Sequence, residues 1–266
     1  MSHTSFHRWR ALAASAALCT ASYSHATVVE VQTVLGNFEI NLFDETTPLT
    51  VANFLDYVNN GAYTDSIVHR TDPGFVIQGG GFTYDGALPF DTIPANDPVM
   101  NEPELSNRRG TIAMAKLGGD ANSATTQWFI NLSDNQGNLD SQNSGFTVFG
   151  IVLGDGMDVV DAIGALPRFN FGGAFGTLPL RDYTDTTMDP DEDNIVIVNA
   201  IVVTDSTVST NTDLLPPVNV AQNPPPSTTP PADNNDGGGG GGAGGAFAIG
   251  ALGWFVASRR RRASSV

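Results

Sequence analysis

The chain reads IVHRTDPGFVIQGGGF from residue 67 to residue 82. Two short apolar runs, at 67–68 and 75–77, flank a Pro-Gly pair, which marks a turn. Short apolar runs bounded by Gly or Pro are strand candidates. The stretch therefore predicts two strands joined by a turn. Further runs of the same kind lie at 111–115, 128–132, 148–153, 195–198 and 201–203.

A hairpin and two helices accompany these strands. Apolar and polar residues alternate over 29–42 around Gly36-Asn37, which predicts a β-hairpin. A helix begins at Thr47-Pro48, has apolar residues at helical spacing, and ends at Asn59-Asn60-Gly61. Apolar residues at 157, 160, 163 and 166 predict the second helix. Many strands with two helices indicate a mainly β fold, a closed barrel plugged by helices.

The first 26 residues predict a secretory signal that a signal peptidase removes. Arg8 and Arg10 precede a short apolar run at 11–21, and Ser24-His25-Ala26 offers small residues for cleavage. The only cysteine of the chain, Cys19, lies inside this segment. The mature protein is then expected to use neither disulfides nor thiol chemistry.

The C-terminal end predicts two further segments. Residues 206–236 contain seven prolines and few apolar side chains, which predicts a disordered linker. Residues 237–266 hold a glycine run, a short apolar segment at 243–257 and four arginines. This tail resembles the GlyGly-CTERM sorting signals of Gram-negative bacteria, which implies a transient membrane anchor and removal by a sorting protease. A permanent tail anchor is the alternative, although fifteen helical residues reach only about 22 Å, short of the roughly 30 Å hydrocarbon core.

Charge excludes one class of partner. The chain has a formal net charge of −16, and the body between its basic ends carries 28 acidic residues against six basic ones. Such a surface repels phosphates, so we expect no nucleic acid partner. We expect a monomer in the periplasm or at the cell surface of a Gram-negative bacterium.

Four motifs in order carry a family resemblance. The stretch at 67–82 is followed by GTIAMA at 110–115, SATTQWFIN at 123–131 and FTVFG at 146–150. Together they resemble the cyclophilins, particularly the bacterial periplasmic kind, over about 29–204. The resemblance implies an eight-stranded antiparallel β-barrel closed by two α-helices over 27–205. It also implies peptidyl-prolyl cis-trans isomerase activity on Pro-containing polypeptide clients, with no cofactor and no metal.

The resemblance also implies roles for particular residues. By its position in the motif, Arg70 matches the catalytic arginine of the family. The residue type suits the reaction, because a guanidinium can donate to the imide nitrogen of a twisted X-Pro bond. His69 is expected to be structural, since this reaction has no step for a general base. Asp189, Asp191 and Asp193 have calcium-loop spacing but lack the following Gly and distal Glu, so we expect a solvated loop. Substrate-groove positions are matched by Phe75, Val76, Gln78, Ala115, Gln127, Phe129, Leu139 and Phe146.

Three positions depart from the pattern. Asn138 occupies the region where many members carry a tryptophan on which cyclosporin binding leans, so weak cyclosporin sensitivity is expected. Phe146 stands where several members have His or Tyr, and Lys116 where many have Asn.

A non-catalytic module that holds Pro-containing segments as a chaperone or surface protein is the alternative function. The retained set of Arg70, Phe75, Gln78 and Phe129 favours the enzyme.

Overall fold

Antiparallel strands dominate the computed structural model, which describes residues 26–208 and 214–224. The helices are α1 (Pro48–Asn59), α2 (Gln136–Leu139) and α3 (Gly156–Gly164), with 3-10 turns at Gln142–Ser144 and Gly173–Phe175. The strands are β1 (Ala26–Thr33), β2 (Gly36–Leu42), β3 (Ser66–Ile67), β4 (Arg70–Asp72), β5 (Val76–Gly79), β6 (Phe82–Thr83), β7 (Asp91–Thr92), β8 (Thr111–Met114), β9 (Trp128–Asn131), β10 (Val148–Val152), β11 (Arg168–Phe169), β12 (Leu178–Pro179) and β13 (Ile197–Val208).

The main sheet closes on itself through β3 and β4. The sheet order runs β4-β5-β9-β8-β10-β2-β1-β13-β3, followed by the short β6 and β7. Only two residues separate β3 from β4, so 66–72 is one interrupted strand that pairs with β13 at one end and with β5 at the other. At the interruption, Val68 N donates to Val196 O at 3.0 Å and His69 N donates to Gln78 O at 3.1 Å. The predicted mainly β, antiparallel barrel is confirmed. The sheet of the described residues has eleven strands rather than the predicted eight, because 66–72 is interrupted and β6 and β7 extend one end.

Side chains of the barrel strands alternate between two faces. Ile77, Trp128 and Phe149 are buried in the main core, together with residues of α1 and α3. Their neighbours Val76 and Phe129 belong to a second cluster on the outer face of the same strands. This alternation is the period of two that a pleated strand requires. We call the second cluster, which also contains Phe43, Leu105, Ala113, Leu139 and Val148, the outer-face cluster.

Both predicted helices are confirmed. Pro48 occupies the first turn of α1, and Phe54 of this helix packs against Phe149 with 5.1 Å between ring centroids. The predicted hairpin is confirmed as β1 and β2, but its turn lies at 34–35 rather than at Gly36-Asn37. Gly36 is instead the first residue of β2, with φ of +129°, a conformation that residues with a Cβ atom rarely adopt.

The phenylalanine-rich stretch at 167–193 is mainly a packing element. It contains β11 and β12, which pair with each other. Phe175 packs against Phe82 with 4.7 Å between ring centroids, and both rings lie on a small cluster around the buried Ile67. The loop therefore covers one end of the interrupted strand 66–72.

The linker prediction does not hold for its middle part. Residues 214–224 pack against the barrel, where Ser106 N donates to Pro217 O and Asn219 N donates to Glu104 O, both at 2.8 Å. This segment is held by backbone bonds, by polar side chains and by Leu215, which packs against the outer-face cluster; its few apolar residues stand among prolines and polar residues, a composition typical of a linker. We call residues 214–224 the strap.

Other segment predictions fall on undescribed residues. The signal predicted over 1–26 lies outside the described residues except for Ala26, which begins β1. A cut after Ala26 would remove only the first residue of that strand. The sorting tail at 237–266 also lies outside them. Among the helices that are described, none is long and apolar enough to span a bilayer.

Candidate active site

A row of paired residues crosses four neighbouring strands on the outer face of the barrel. Arg70 on β4 is paired with Gln78 on β5, and Gln78 is paired with Phe129 on β9. Phe129 is paired in turn with Ala113 on β8. Directly opposed residues have Cβ atoms roughly 4.5–5.5 Å apart. The strand register therefore places a cation, an amide and an aromatic ring side by side.

Two hydrogen bonds orient the guanidinium of Arg70. Its Nη1 donates to Gln78 Oε1 at 3.0 Å, and its Nη2 donates to Asp72 Oδ2 at 3.3 Å. Gln78 is 2% exposed, and its Nε2 donates to Gln127 Oε1 at 2.8 Å. A guanidinium has five N–H donors, so the Arg70 side chain, which is 26% exposed, keeps further donors for a ligand in the groove.

Apolar side chains form the wall beside this guanidinium. Phe129 and Phe146 meet edge to face, with 5.7 Å between ring centroids and 76° between planes. Leu139, from α2, is buried against the same cluster. Gln127 does not line the groove, but it accepts a hydrogen bond from Gln78, so all nine predicted residues lie together in the structure. The groove is lined by Arg70, Phe75, Val76, Gln78, Ala115, Lys116, Phe129, Leu139 and Phe146.

Lys116 adds a second cation to the groove. Its Nζ donates to Asn143 O at 2.9 Å and to Gly145 O at 2.6 Å, and it lies 4.8 Å from the centroid of the Phe146 ring. Burial lowers the pKa of this lysine from 10.5 to about 8. The side chain therefore ties the loop before β10 to β8, in addition to its place in the groove.

We call residues 135–146 the groove loop, because they carry Leu139 and Phe146. Asp140 anchors it: its Oδ1 accepts from Asn107 N at 2.8 Å and from Asn107 Nδ2 at 3.0 Å. Asn135 Nδ2 donates to Phe75 O at 2.9 Å. Sequence reasoning missed Asp72, Asn107, Asn135 and Asp140. Their one signal was the density of Asn and Asp around the motifs, which is equally typical of turns.

Three further residues lie outside the groove. His69 is buried beside Phe82, with 5.0 Å between ring centroids, and burial together with the nearby Arg70 lowers its pKa from 6.5 to about 3. It is neutral near pH 7, as the structural interpretation requires. Asn138 is exposed and does not line the groove. Within 26–208 and 214–224, no group of three or more His, Cys, Asp or Glu side chains is placed to hold a metal ion, and Asp191 belongs to no such group.

Comparison with known proteins gives a consistent set of relatives. The family model of the cyclophilin type peptidyl-prolyl cis-trans isomerase/CLD matches residues 28–186. A peptidyl-prolyl cis-trans isomerase of Acinetobacter baylyi is 42% identical over 147 residues, which cover 55% of this chain and 76% of the relative. Peptidyl-prolyl cis-trans isomerase A of Dickeya dadantii is 44% identical over 151 residues, covering 55% and 76%. Peptidyl-prolyl cis-trans isomerase B of Escherichia coli is 44% identical over 142 residues, covering 51% and 83%.

Among solved structures, one similar chain is a cyclophilin type peptidyl-prolyl cis-trans isomerase of Cryptosporidium parvum, determined in the presence of the dipeptide Ala-Pro. It is 26% identical, covers 67% of this chain and 99% of its own, and gives a TM-score of 0.48. The strap lies beyond the matched residues 28–186.

Proposed function

This chain belongs to the cyclophilin-type peptidyl-prolyl cis-trans isomerases, and from that premise we propose that Arg70 and the groove around it isomerise X-Pro bonds in exported proteins. The observation that carries the proposal is the row in which Arg70, Gln78 and Phe129 stand on consecutive strands. This row supports the proposal because it sets the guanidinium beside the apolar side chains that would hold a proline ring.

The chemistry explains why a cation and an apolar wall are needed together. Rotation about an X-Pro bond breaks amide resonance, whose barrier is about 18–20 kcal/mol. In the twisted state the imide nitrogen regains a lone pair and accepts a hydrogen bond from Arg70. Because the planar ground state offers no such acceptor, this bond stabilises the transition state selectively. No bond is formed or broken, so the residues need only orient the chain and solvate the twisted amide.

Arg70 supplies only part of the required acceleration. A rate enhancement of about 10⁴–10⁵ needs about 5.5–7 kcal/mol. A hydrogen bond to a charged group contributes about 1.5–3 kcal/mol. The remainder comes from the wall of Phe75, Phe129 and Leu139, which holds the proline ring and favours the less polar twisted amide. Gln78 keeps the guanidinium at the edge of that wall.

The decisive experiment compares two arginines in the full chain. Isomerisation of a short peptide with one Ala-Pro bond is measured for wild type, Arg70→Ala and Arg168→Ala. Arg168 is exposed and lies on β11, away from the groove, so its loss is expected to leave the rate unchanged. Arg70→Ala is expected to lower kcat/KM by about 10- to 150-fold. Equal activity of the two variants would contradict the role of Arg70. Tight peptide binding without acceleration in the wild type would favour a non-catalytic holding function.

We further propose that the enzyme acts outside the cytoplasm as a monomer. The arginines and the short apolar run near the N-terminus support export through signal peptidase. The glycine run, apolar segment and terminal arginines support transient attachment to the membrane and release by a sorting protease. The test expresses the full chain in a Gram-negative host and determines both chain termini by mass spectrometry of periplasmic and released fractions. An N-terminus at Thr27 with loss of Arg259–262 is expected, whereas intact chains confined to the cytoplasm would contradict export.

A further inference from the structure

Residues outside the matched family region hold part of the groove. The groove loop carries Leu139 and Phe146, and both side chains line the groove. Backbone bonds within the loop join them, because Phe146 N donates to Leu139 O at 3.0 Å. The position of this loop therefore sets the shape of one wall. What fixes the loop from the other side is the strap.

The strap first pairs with the segment before β8. Leu105 and Val218 form an antiparallel bridge, and the backbone bonds from Ser106 and Asn219 flank it. Leu215 is half-buried and packs against the outer-face cluster, to which Phe129 and Leu139 belong. The strap thus lies against the back of the groove rather than in it, since none of its residues lines the groove.

Two side chains of the strap, Asn219 and Gln222, hydrogen-bond to the groove loop, and Asn219 is the more deeply buried. Asn219 is 0% exposed, and its Nδ2 donates to Asp140 O at 3.0 Å. Gln222 Nε2 donates to the same oxygen at 3.1 Å. Asn219 Oδ1 accepts from Ala221 N at 3.0 Å, which folds the strap into the turn that presents both amides. A Cβ built on Gly145 would lie 3.1 Å from Asn219 Nδ2, so the two segments are in close contact.

Asp140 is the residue through which this contact reaches the groove. Its carboxylate is held from the barrel side by Ser106 Oγ at 2.6 Å and by Asn107. Its carbonyl is held from the other side by Asn219 and Gln222. Leu139 precedes it directly. A buried carbonyl that loses its donors incurs a desolvation penalty, so the loop must shift to regain water when these amides are absent.

We propose that the strap positions the groove loop for catalysis, with Asn219 as the positioning residue. The isomerase of this chain therefore depends on residues 214–224, although residues 28–186 contain all the groove side chains. Asn219 acts through Asp140 on Leu139 and Phe146, and does not touch the substrate.

The test uses the full chain and three single substitutions. Asn219→Ala removes the buried donor and is expected to lower kcat/KM for an Ala-Pro peptide by about fivefold. Gln222→Ala removes the second donor from a half-buried position, and about a twofold loss is expected. Val220→Ala is the matched control, because Val220 lies on the same strap with 66% of its surface exposed and is expected to leave the rate unchanged.

Amide hydrogen exchange separates positioning from general stabilisation. In Asn219→Ala the amides of Leu139 and Phe146 are expected to exchange faster, while those of β1 and β13 keep wild-type protection. Rates are measured well below the melting temperature, so that the variant is fully folded. Unchanged kcat/KM would overturn the proposal, and so would faster exchange spread evenly over the barrel or an equal loss in Val220→Ala. If Asn219→Ala does not fold, Gln222→Ala decides: a lower kcat/KM supports the proposal and an unchanged one overturns it.

Discussion

Replacing Gln78 by methionine tests whether the glutamine acts through Arg70. Methionine has a similar length, so the buried position between β4 and β9 stays filled, but both polar atoms are lost. In the wild type, both polar groups of Gln78 are engaged, with Arg70 Nη1 and with Gln127 Oε1. Gln127 is half-buried and can bond to water instead. The change therefore removes chiefly the support of the guanidinium.

The structure sets the size of the effect. A hydrogen bond from a charged donor contributes about 1.5–3 kcal/mol. Without it, Arg70 keeps only the Asp72 pair, whose side chains are 26% and 48% exposed. Pairs of that exposure contribute about 0–1 kcal/mol, which is too little to fix the guanidinium. The loss caused by Gln78→Met cannot exceed the whole contribution of Arg70 to the rate. We therefore expect Gln78→Met to lower kcat/KM by about tenfold and Arg70→Ala to lower it by at least as much.

A double-mutant cycle on kcat/KM for an Ala-Pro peptide provides the assay. If Gln78 acts through Arg70, the methionine is expected to cost less than about threefold in the Arg70→Ala background, because there is no guanidinium left to orient. Melting temperatures of the four proteins control for folding. Independent, multiplying losses would refute the reasoning, since Gln78 would then contribute by its own contact with substrate.

Three further predictions concern stability and inhibitor binding. The pKa of His69 is lower in the folded than in the unfolded chain, so the unfolded state binds more protons between about pH 3 and 6.5. The free energy of unfolding therefore falls as the pH is lowered through that window. Urea unfolding at pH 7 and pH 4 should show this loss in the wild type and not in His69→Phe. No tryptophan of the described residues lines the groove, so cyclosporin should inhibit weakly, whereas nanomolar inhibition of the wild type would contradict the prediction. Gly80→Ala places a Cβ 2.7 Å from Thr126 O at φ of +73° and should lower the free energy of unfolding by about 2–4 kcal/mol. Gly86→Ala, at φ of +97° with nothing within 4 Å, should lower it by about 1 kcal/mol, as measured by thermal unfolding.

Elements with a long periodic signal could be predicted from the sequence. The alternation over 29–42 gave the hairpin of β1 and β2, and helical spacing gave α1 and α3. The strands of the groove are only three or four residues long, as in β4 and β5, and a period of two cannot be recognised over such lengths. Their order and register follow from the closed barrel, which is why the groove residues came from the resemblance and not from periodicity.

The contacts that hold the site were less predictable than the site itself. Asp72 follows Arg70 by two residues, on a strand too short to show that both face the same side. The strap was missed for a different reason. Its hold on the barrel rests largely on the amides of Asn219 and Gln222 and on backbone bonds. Its apolar residues, such as Leu215, stand among prolines and polar residues, and that composition is typical of a linker.

Closure of the barrel and the placement of Arg70 depend on the same two residues of backbone, Val68 and His69. The strand 66–72 leaves β13 and joins β5 at Val68 and His69, each of which donates one backbone bond to a different neighbour. This change of partner turns the His69 ring to the buried aromatic cluster and the next side chain, Arg70, to the groove. A substitution that weakens the backbone bonds of Val68 and His69 should therefore lower activity before it unfolds the barrel, because Arg70 reaches Gln78 only when β4 is paired with β5.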